Sequence, residues 1–247
     1  LDADLYENWT DVSGFLSADP RIVQNPRAIG RITFDEMREL SYMGASVLQE
    51  EAIFPVREAN IPIQIKNTNR PEDTGTVIRE TADGDTNEHL ITGIAGKKDF
   101  SAIHVKKAHM SNEVGVISRA LNIVERYGVS VEHIPTGVDS FGIVVNASDV
   151  KDTVYSIISD IRREIEPDDI TMVDRLALVS VVGRNMSRRS GTSGKIFGAL
   201  GNAGVNIRMI TQSSEEISII VGVDNADFDR TIGVIYNGFV RDEMVSR

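Results

Sequence analysis

The feature that most constrains how this chain can fold is an internal duplication. Sliding the sequence by 76 positions lays Met110-Ser111 on Met186-Ser187, Gly115 on Gly191, Gly128 on Gly204, Val129 on Val205 and Ile134 on Ile210. The apolar pattern stays in register through Val145 and Val221 without a gap. A repeat of this length predicts two copies of one supersecondary unit.

Each copy reads strand, loop, helix, strand, strand, helix. In the first copy Ile103 and Val105 alternate as in a strand, and Ile117, Ala120, Leu121 and Val124 make a helical stripe. Gly128 suits a helix C-terminus. Val129–Ile134 and Phe141–Asn146 are rich in strand formers, and Val154, Ile157, Ile158, Ile161 and Ile165 form a second helical stripe. In the second copy Leu176–Val182, Val205–Thr211 and Ile217–Val223 are expected strands. Ile196, Leu200 and Ala203 mark one helix there, and Phe228, Ile232, Ile235 and Phe239 the last. A βαββαβ unit needs a closing strand after its second helix. The first copy has one near Ile170–Val173, whereas the second ends without one. A spare strand, Leu90–Ala95, precedes the first copy. The expectation is therefore that this strand completes the second module and that the first module is nested inside it.

The loop before the first helix of each copy is the most informative candidate site. In copy one it is Met110–Gly115 (MSNEVG). A helix N-terminus presents unpaired N–H groups and a positive dipole end, which favour a carboxylate. Gly115 permits close approach to the backbone, and Glu132 on the facing segment offers a partner to an ammonium. Both ends of an amino acid could thus be met. The same residues also fit a plain turn glycine and a solvated surface charge. Gly191–Gly194 (GTSG) lacks the context of a phosphate loop and reads as the second copy of the same loop. His89, His104, His109 and His133 show no ligand spacing.

Composition narrows the partners. With no cysteine among 247 residues, disulfides and thiolate metal sites are excluded. A net charge of −11, with basic residues scattered and clustered no further than pairs such as Lys97-Lys98, argues against nucleic acid. No apolar run reaches the ~20 residues of a membrane span, and no signal peptide opens the chain, so the cytoplasm is the expected location and no membrane partner is expected. Residue 1 is Leu, which suggests a piece of a longer product.

Ahead of the repeat lies a different region. Glu80–Glu88 (ETADGDTNE) is polar and aperiodic and reads as a linker. Before it, Asp11–Gly14 and Asp19-Pro20 are turn signals, Thr33–Tyr42 is an expected helix with Thr33 or Asp35 as N-cap, Ser46–Arg57 a second, and Ile61–Ile65 a strand.

The segment Trp9–Arg21 (WTDVSGFLSADPR) resembles the nucleotide-binding segment of aspartate kinases. Thr33–Leu48, Ile61–Thr68 and Gly75-Thr76 continue the match, and Ile91–Ser101 (ITGIAGKKDFS), Val131–Ser140 (VEHIPTGVDS) and Leu176–Met186 (LALVSVVGRNM) resemble that family's regulatory region. The resemblance runs through essentially the whole chain, in order. It implies an α/β (α+β) chain in which residues 1–84 end an amino-acid kinase domain built on a mainly parallel sheet. Two nested ferredoxin-like βαββαβ ACT modules follow, one at 103–175 and a discontinuous one at 88–102 plus 176–247.

The resemblance also implies roles. Trp9, Thr10 and Asp11 match positions around adenine and ribose, and Arg21 a phosphate contact, for which a guanidinium is suited. An ion pair with Asp19 is the other use its setting allows. The effector positions carried over are Met110, Val116, Ile117, Val131, Glu132, Gly137, Val138 and Asp139. Glu113 fits either an effector ammonium or plain surface. The substrate would be ATP with Mg²⁺, no cofactor would be tightly bound, and no protein residue would form a metal site. The effector would be L-lysine, with L-threonine as the alternative, and the assembly a homodimer through the ACT modules or a tetramer.

Two departures stand out: Leu16 where many members have tyrosine, and Ser46 where many have a phosphate-contacting lysine. The family's Lys-Phe-Gly-Gly segment does not occur in this chain, so no catalytic residue is assigned and no turnover is expected from it alone. A separate amino-acid-sensing subunit without catalysis is the competing reading.

Overall fold

The computed structural model describes residues 3–45, 47–48, 50–81, 89–187, 189–213 and 215–241, without side-chain detail at 50–52 and 241. Ser46 and most of the expected linker lie outside these residues. The chain divides into two compact units. One joins two segments, Leu1–Lys97 and Leu178–Arg247; the other is the single segment Lys98–Ala177.

The two-segment unit opens with a four-stranded sheet. Its strands are β1 (Tyr6–Thr10), β2 (Arg31–Thr33), β3 (Ile63–Asn67) and β4 (Thr76–Arg79), in the order β1-β3-β4-β2. The β1–β3 and β2–β4 pairs are parallel and β3–β4 is antiparallel. Ile32, Ile63, Ile65 and Ile78 point to the core, fully buried. Helix α1 (Phe34–Tyr42) follows β2 and starts as the sequence suggests, with Thr33 as N-cap. Thr33 Oγ1 accepts from the Glu36 N–H, and Glu36 reaches back to the Thr33 N–H. This capping box satisfies two N–H groups that a helix start leaves orphaned. Helix α2 spans Glu50–Glu58.

Two 14-residue strands, β5 (Gly93–Lys106) and β7 (Asp169–Val182), belong in part to each unit. Four strands expected to be separate are therefore two: Leu90–Ala95 runs into Ile103–Val105, and Ile170–Val173 into Leu176–Val182. Each long strand carries one residue with a left-handed backbone, Asp99 (φ 68°) in β5 and Arg175 (φ 58°) in β7. These residues stand 76 positions apart, so the duplication extends to a shared bend.

The single-segment unit packs α3 (Val116–Arg126) and α5 (Val154–Ile165) on a sheet ordered β6-β5-β7, where β6 is Ser140–Asn146 and a short α4 covers Ala147–Val150. Ala120, Ile123, Ile157 and Ile161, all fully buried, are the helical contribution to its core. In the two-segment unit the order is β5-β7-β9-β8, with α6 (Thr192–Asn202), β8 (Met209–Gln212), β9 (Ser218–Asp224) and α7 (Phe228–Ile235), continued by a wider helical turn at Tyr236–Arg241.

Two expected strands are corrected. Val129–Ile134 is not a regular strand: it meets β6 through an isolated bridge at His133, and a second bridge follows at Thr136. Glu132 N–H donates to Val144 O at 2.8 Å and Val144 N–H to His133 O at 2.9 Å, but Pro135 has no N–H to carry the ladder on. Of the expected strand Val205–Thr211 in the second copy, the ladder begins only at Met209 and runs to Gln212, because Val205 N–H turns back to close the helix on Leu200 O.

Candidate functional site

The first of the two candidate regions lies in the two-segment unit, on the loop that leaves β1. Trp9 is 45% exposed with Lys66 Nζ 5.7 Å from its ring centre, and its indole N–H donates to Glu7 Oε2 at 3.3 Å. Thr10 ends β1; its hydroxyl donates to Asp11 Oδ1 at 3.3 Å, and its carbonyl accepts from the Thr68 N–H and hydroxyl. Gly14 needs both a left-handed backbone (φ 101°) and the lack of a side chain, since a Cβ there would stand 2.3 Å from Thr76 Oγ1. The loop is thereby pinned on β4: Phe15 N–H donates to Thr76 Oγ1 at 2.8 Å.

Arg21 turns back on its own loop. Its Nη2 lies 2.6 Å from Asp19 Oδ2, while its side chain stays 88% exposed. The guanidinium's hydrogen bond holds the Asp19 carboxyl below the ordinary value against the opposing pull of burial. The loop-bracing pair is thus formed, and it leaves the guanidinium at the surface, where an anion can reach it.

Beside this pair opens a cavity of about 580 Å³. Residues 12–16 and 18–22, the turn after α1 (Met43–Ala45), Ile94–Gly96 of β5 and Phe228 and Ile232 of α7 line it. Leu16, where the family often has tyrosine, is on its wall; Trp9, Thr10 and Asp11 are not.

The second region, in the single-segment unit, surrounds the start of α3. Gly115 caps that helix with a left-handed backbone (φ 83°) and no side-chain bond to the exposed N–H groups. Glu113 just before it is engaged from two sides: Arg119 Nη2 donates to its Oε1, and Lys107 Nζ lies 3.3 Å from its Oε2. Lys107, and after it Arg119, hold the Glu113 carboxyl below its ordinary value. Glu113 therefore has intramolecular partners at both oxygens.

The predicted effector positions separate into three groups. Met110 and Val116 are buried in the unit's core, and Ile117 and Val131 pack against it. Gly137, Val138 and Asp139 form an exposed turn, closed by Gly137 N–H donating to Ser140 O at 2.7 Å. Val131 and Glu132 line a groove of about 700 Å³ between α3 and the bridged segment, together with Leu121, Asn122 and Glu125. The groove thus lies along the C-terminal half of α3, and the helix start expected to form part of the site is not on its wall.

A buried polar node was not singled out from the sequence. Glu36, fully buried, accepts from Thr92 Oγ1 at 2.6 Å and from the Arg184 N–H at 2.9 Å, and pairs with Arg184 Nη1 at 2.8 Å. The spacing Thr33-x-x-Glu36 announces the cap, but nothing local announces partners at 92 and 184. Among the described residues, no group of three or more His, Cys, Asp or Glu is placed to hold a metal, and no helix is long and apolar enough to cross a membrane.

Comparison with known proteins decides the lineage. The amino acid kinase family profile matches residues 1–67, and an ACT domain profile matches residues 179–239. Aspartokinase 3 of Bacillus subtilis is 39% identical over 247 residues, covering 100% of this chain and 54% of the relative. A crystal structure of aspartokinase alpha and beta subunits is 30% identical, covering 60% of this chain and 97% of that one, with a TM-score of 0.54. The chain belongs to the aspartokinase family. Its fold agrees: the crystal structure of Clostridium acetobutylicum aspartate kinase superposes with a TM-score of 0.93 at 52% identity, over 96% of this chain and 55% of that one. The aspartokinase-family chain spans about half the length of these two full-length relatives. It is a mixed α/β protein with two sheets, ending an amino-acid kinase domain and carrying ACT structure.

Proposed function

We propose that the chain is the C-terminal part of an aspartate kinase, a cytoplasmic enzyme that transfers phosphate from ATP, as its Mg²⁺ complex, to L-aspartate, giving 4-phospho-L-aspartate and ADP. The observation that carries this is the unbroken likeness to the Clostridium acetobutylicum enzyme, itself an allosteric aspartate kinase. In this reading residues 1–84 end the kinase domain, 103–175 form one ACT module, and 88–102 plus 176–247 form the other. Trp9, Thr10, Asp11 and Arg21 belong to the ATP site. The exposed guanidinium of Arg21 supports a phosphate contact, because a phosphate can compete with Asp19 for it.

The chain alone does not turn over, since phosphoryl transfer depends on positioning and charge neutralisation by groups from the rest of the kinase domain. Its own task is feedback: L-lysine, or threonine in its place, binds the single-segment unit within a homodimer or tetramer and biases the enzyme toward an inactive state, which requires unequal affinity for two states. The groove with Val131 and Glu132 is the effector-facing surface that geometry favours, with Glu132 as partner to an ammonium. Calorimetric titration of the chain with lysine and threonine, singly and together, tests this. Lysine binding that weakens in Glu132→Ala supports the reading, and no binding of either amino acid refutes it.

A separate sensing subunit is the second reading, favoured by the near-complete coverage of the 30%-identical subunit structure. Aspartyl phosphate formation by the purified chain would contradict both readings.

A further inference from the structure

The cavity beside Arg21 has walls from two distant parts of the sequence. One wall is the loop after β1 and the turn after α1; the other is Ile94–Gly96 with Phe228 and Ile232 from α7, the last helix of the second repeat. All these residues belong to one compact unit. We propose that Phe228 and Ile232 form a wall of the nucleotide cavity, so that the second repeat touches the adenine nucleotide whose phosphate Arg21 meets at the mouth. This rests on the reading of Arg21 as a phosphate contact of an ATP site; Trp9, Thr10 and Asp11 lie off this wall.

Three features carry it. The first is the chemistry of the space: a slot lined by side chains such as Leu16, Met43, Ile94 and Phe228, with one charged pair, Asp19–Arg21, beside it. An apolar slot with a guanidinium at its edge suits a flat heteroaromatic ring bearing an anionic tail. The second is size, since about 580 Å³ falls within the 300–1,000 Å³ typical of small-molecule sites.

The third is that the aromatic wall is held in place. A Cβ on Gly96 would lie 2.7 Å from Phe228 Cε2 and 2.6 Å from the Leu178 carbonyl oxygen. Only glycine at 96 leaves room for the Phe228 ring against β5, and Phe228 is 6% exposed in that position. A ring fixed by its backing strand is an aromatic contact that a nucleobase can use without first ordering it. The Gly in the segment ITGIAGKKDFS thereby acquires a purpose that a turn would not explain.

The test is photolabelling of the 247-residue chain with 8-azido-ADP, with the modified peptides mapped by mass spectrometry, and calorimetry with ADP. Label is expected on the peptide bearing Phe228–Ile235 as well as on residues 12–22, quenched by excess ADP. Phe228→Leu is expected to weaken ADP binding about fivefold or more, the loss that goes with a weakened base stack. If this variant does not fold, the label map of the unaltered chain still decides. ADP binding that Arg21→Ala weakens, with no label on α7 and no change in Phe228→Leu, overturns the wall and leaves the ATP-site reading intact. A chain that binds no ADP overturns both.

Discussion

Glu36 and Arg184 meet as a buried ion pair across 148 residues of sequence, with Oε2 and Nη1 2.8 Å apart. The acid belongs to the capping box of α1, and the base follows β7 at the start of the second repeat's loop. The corresponding position of the first repeat, 76 residues earlier, is Ala108, which is exposed. Both copies keep a helix start capped by a left-handed glycine without a side-chain bond, but only the second loop is tied to α1 through this pair.

Loss of this carboxylate is costly. Glu36→Gln is expected to destabilise the two-segment unit by about 3 kcal/mol or more, because the fully buried acceptor of Thr92 and partner of Arg184 loses its charge. Burial pushes the Glu36 carboxyl up, but hydrogen bonds from Thr92 and the Arg184 and Thr33 N–H groups, with the Arg184 charge, bring it below its usual 4.5. A folded-state value that is depressed stabilises fully above the unfolded value and is lost as pH falls through the folded one. Thermal unfolding across pH should therefore show the wild-type advantage over Glu36→Gln intact above about pH 4.5 and shrinking below it.

Two glycine substitutions should move stability in opposite directions. Gly75 has φ 69°, and a Cβ there would stand 1.8 Å from the Ile65 carbonyl oxygen; Gly75→Ala is expected to cost at least about 2 kcal/mol. Gly198, inside α6 and exposed, has no heavy atom within 4 Å of its Cβ position; Gly198→Ala is expected to gain about 0.5–1 kcal/mol from helix propensity. Denaturant midpoints of the two variants check both signs.

The single-segment unit depends on its helix-facing core. Ile157, fully buried in α5, belongs to the cluster that includes Ile123 and Ile161. Ile157→Ala should cost about 2–5 kcal/mol through lost burial and a residual cavity. Hydrogen exchange should register the loss within Lys98–Ala177, with β1–β4 protected as before.

Ligand linkage offers a fourth check. Lysine at a hundredfold excess over its dissociation constant should stabilise the folded chain by about 2.7 kcal/mol, seen as a raised unfolding midpoint. The same concentration should raise it less in Glu132→Ala, whose groove lacks the carboxylate.

Much of the architecture is legible because it is periodic. The stripe Ile117, Ala120, Leu121, Val124 gives α3, and Phe141–Asn146 gives β6 almost to the residue. Thr33, one of two N-cap candidates with Asp35, starts α1. What periodicity misses is continuity and interruption. Nothing in the alternation of Ile103 and Val105 tells that their strand begins at Gly93, since a left-handed Asp99 breaks the pattern without ending the ladder. Conversely, strand-forming residues at 129–134 do not make a ladder when Pro135 cannot donate. Of the candidate site residues, Met110 and Val116 come from the family resemblance, and their side chains belong to the core cluster. The long-range partners of Glu36 had no local signal at all.

The bend shared by Asp99 and Arg175 has a bearing on how such chains change over time. The chain leaves the two-segment unit after Lys97 and re-enters it at Leu178, and a Cβ on Gly96 would clash with the Leu178 carbonyl oxygen at 2.6 Å. Exit and return are therefore neighbours. Everything between them is one continuous segment with neighbouring ends: it can be replaced by a different module, or by a tight turn, without rerouting the backbone that surrounds it. Selection can thus alter the inserted segment and leave the flanking backbone undisturbed.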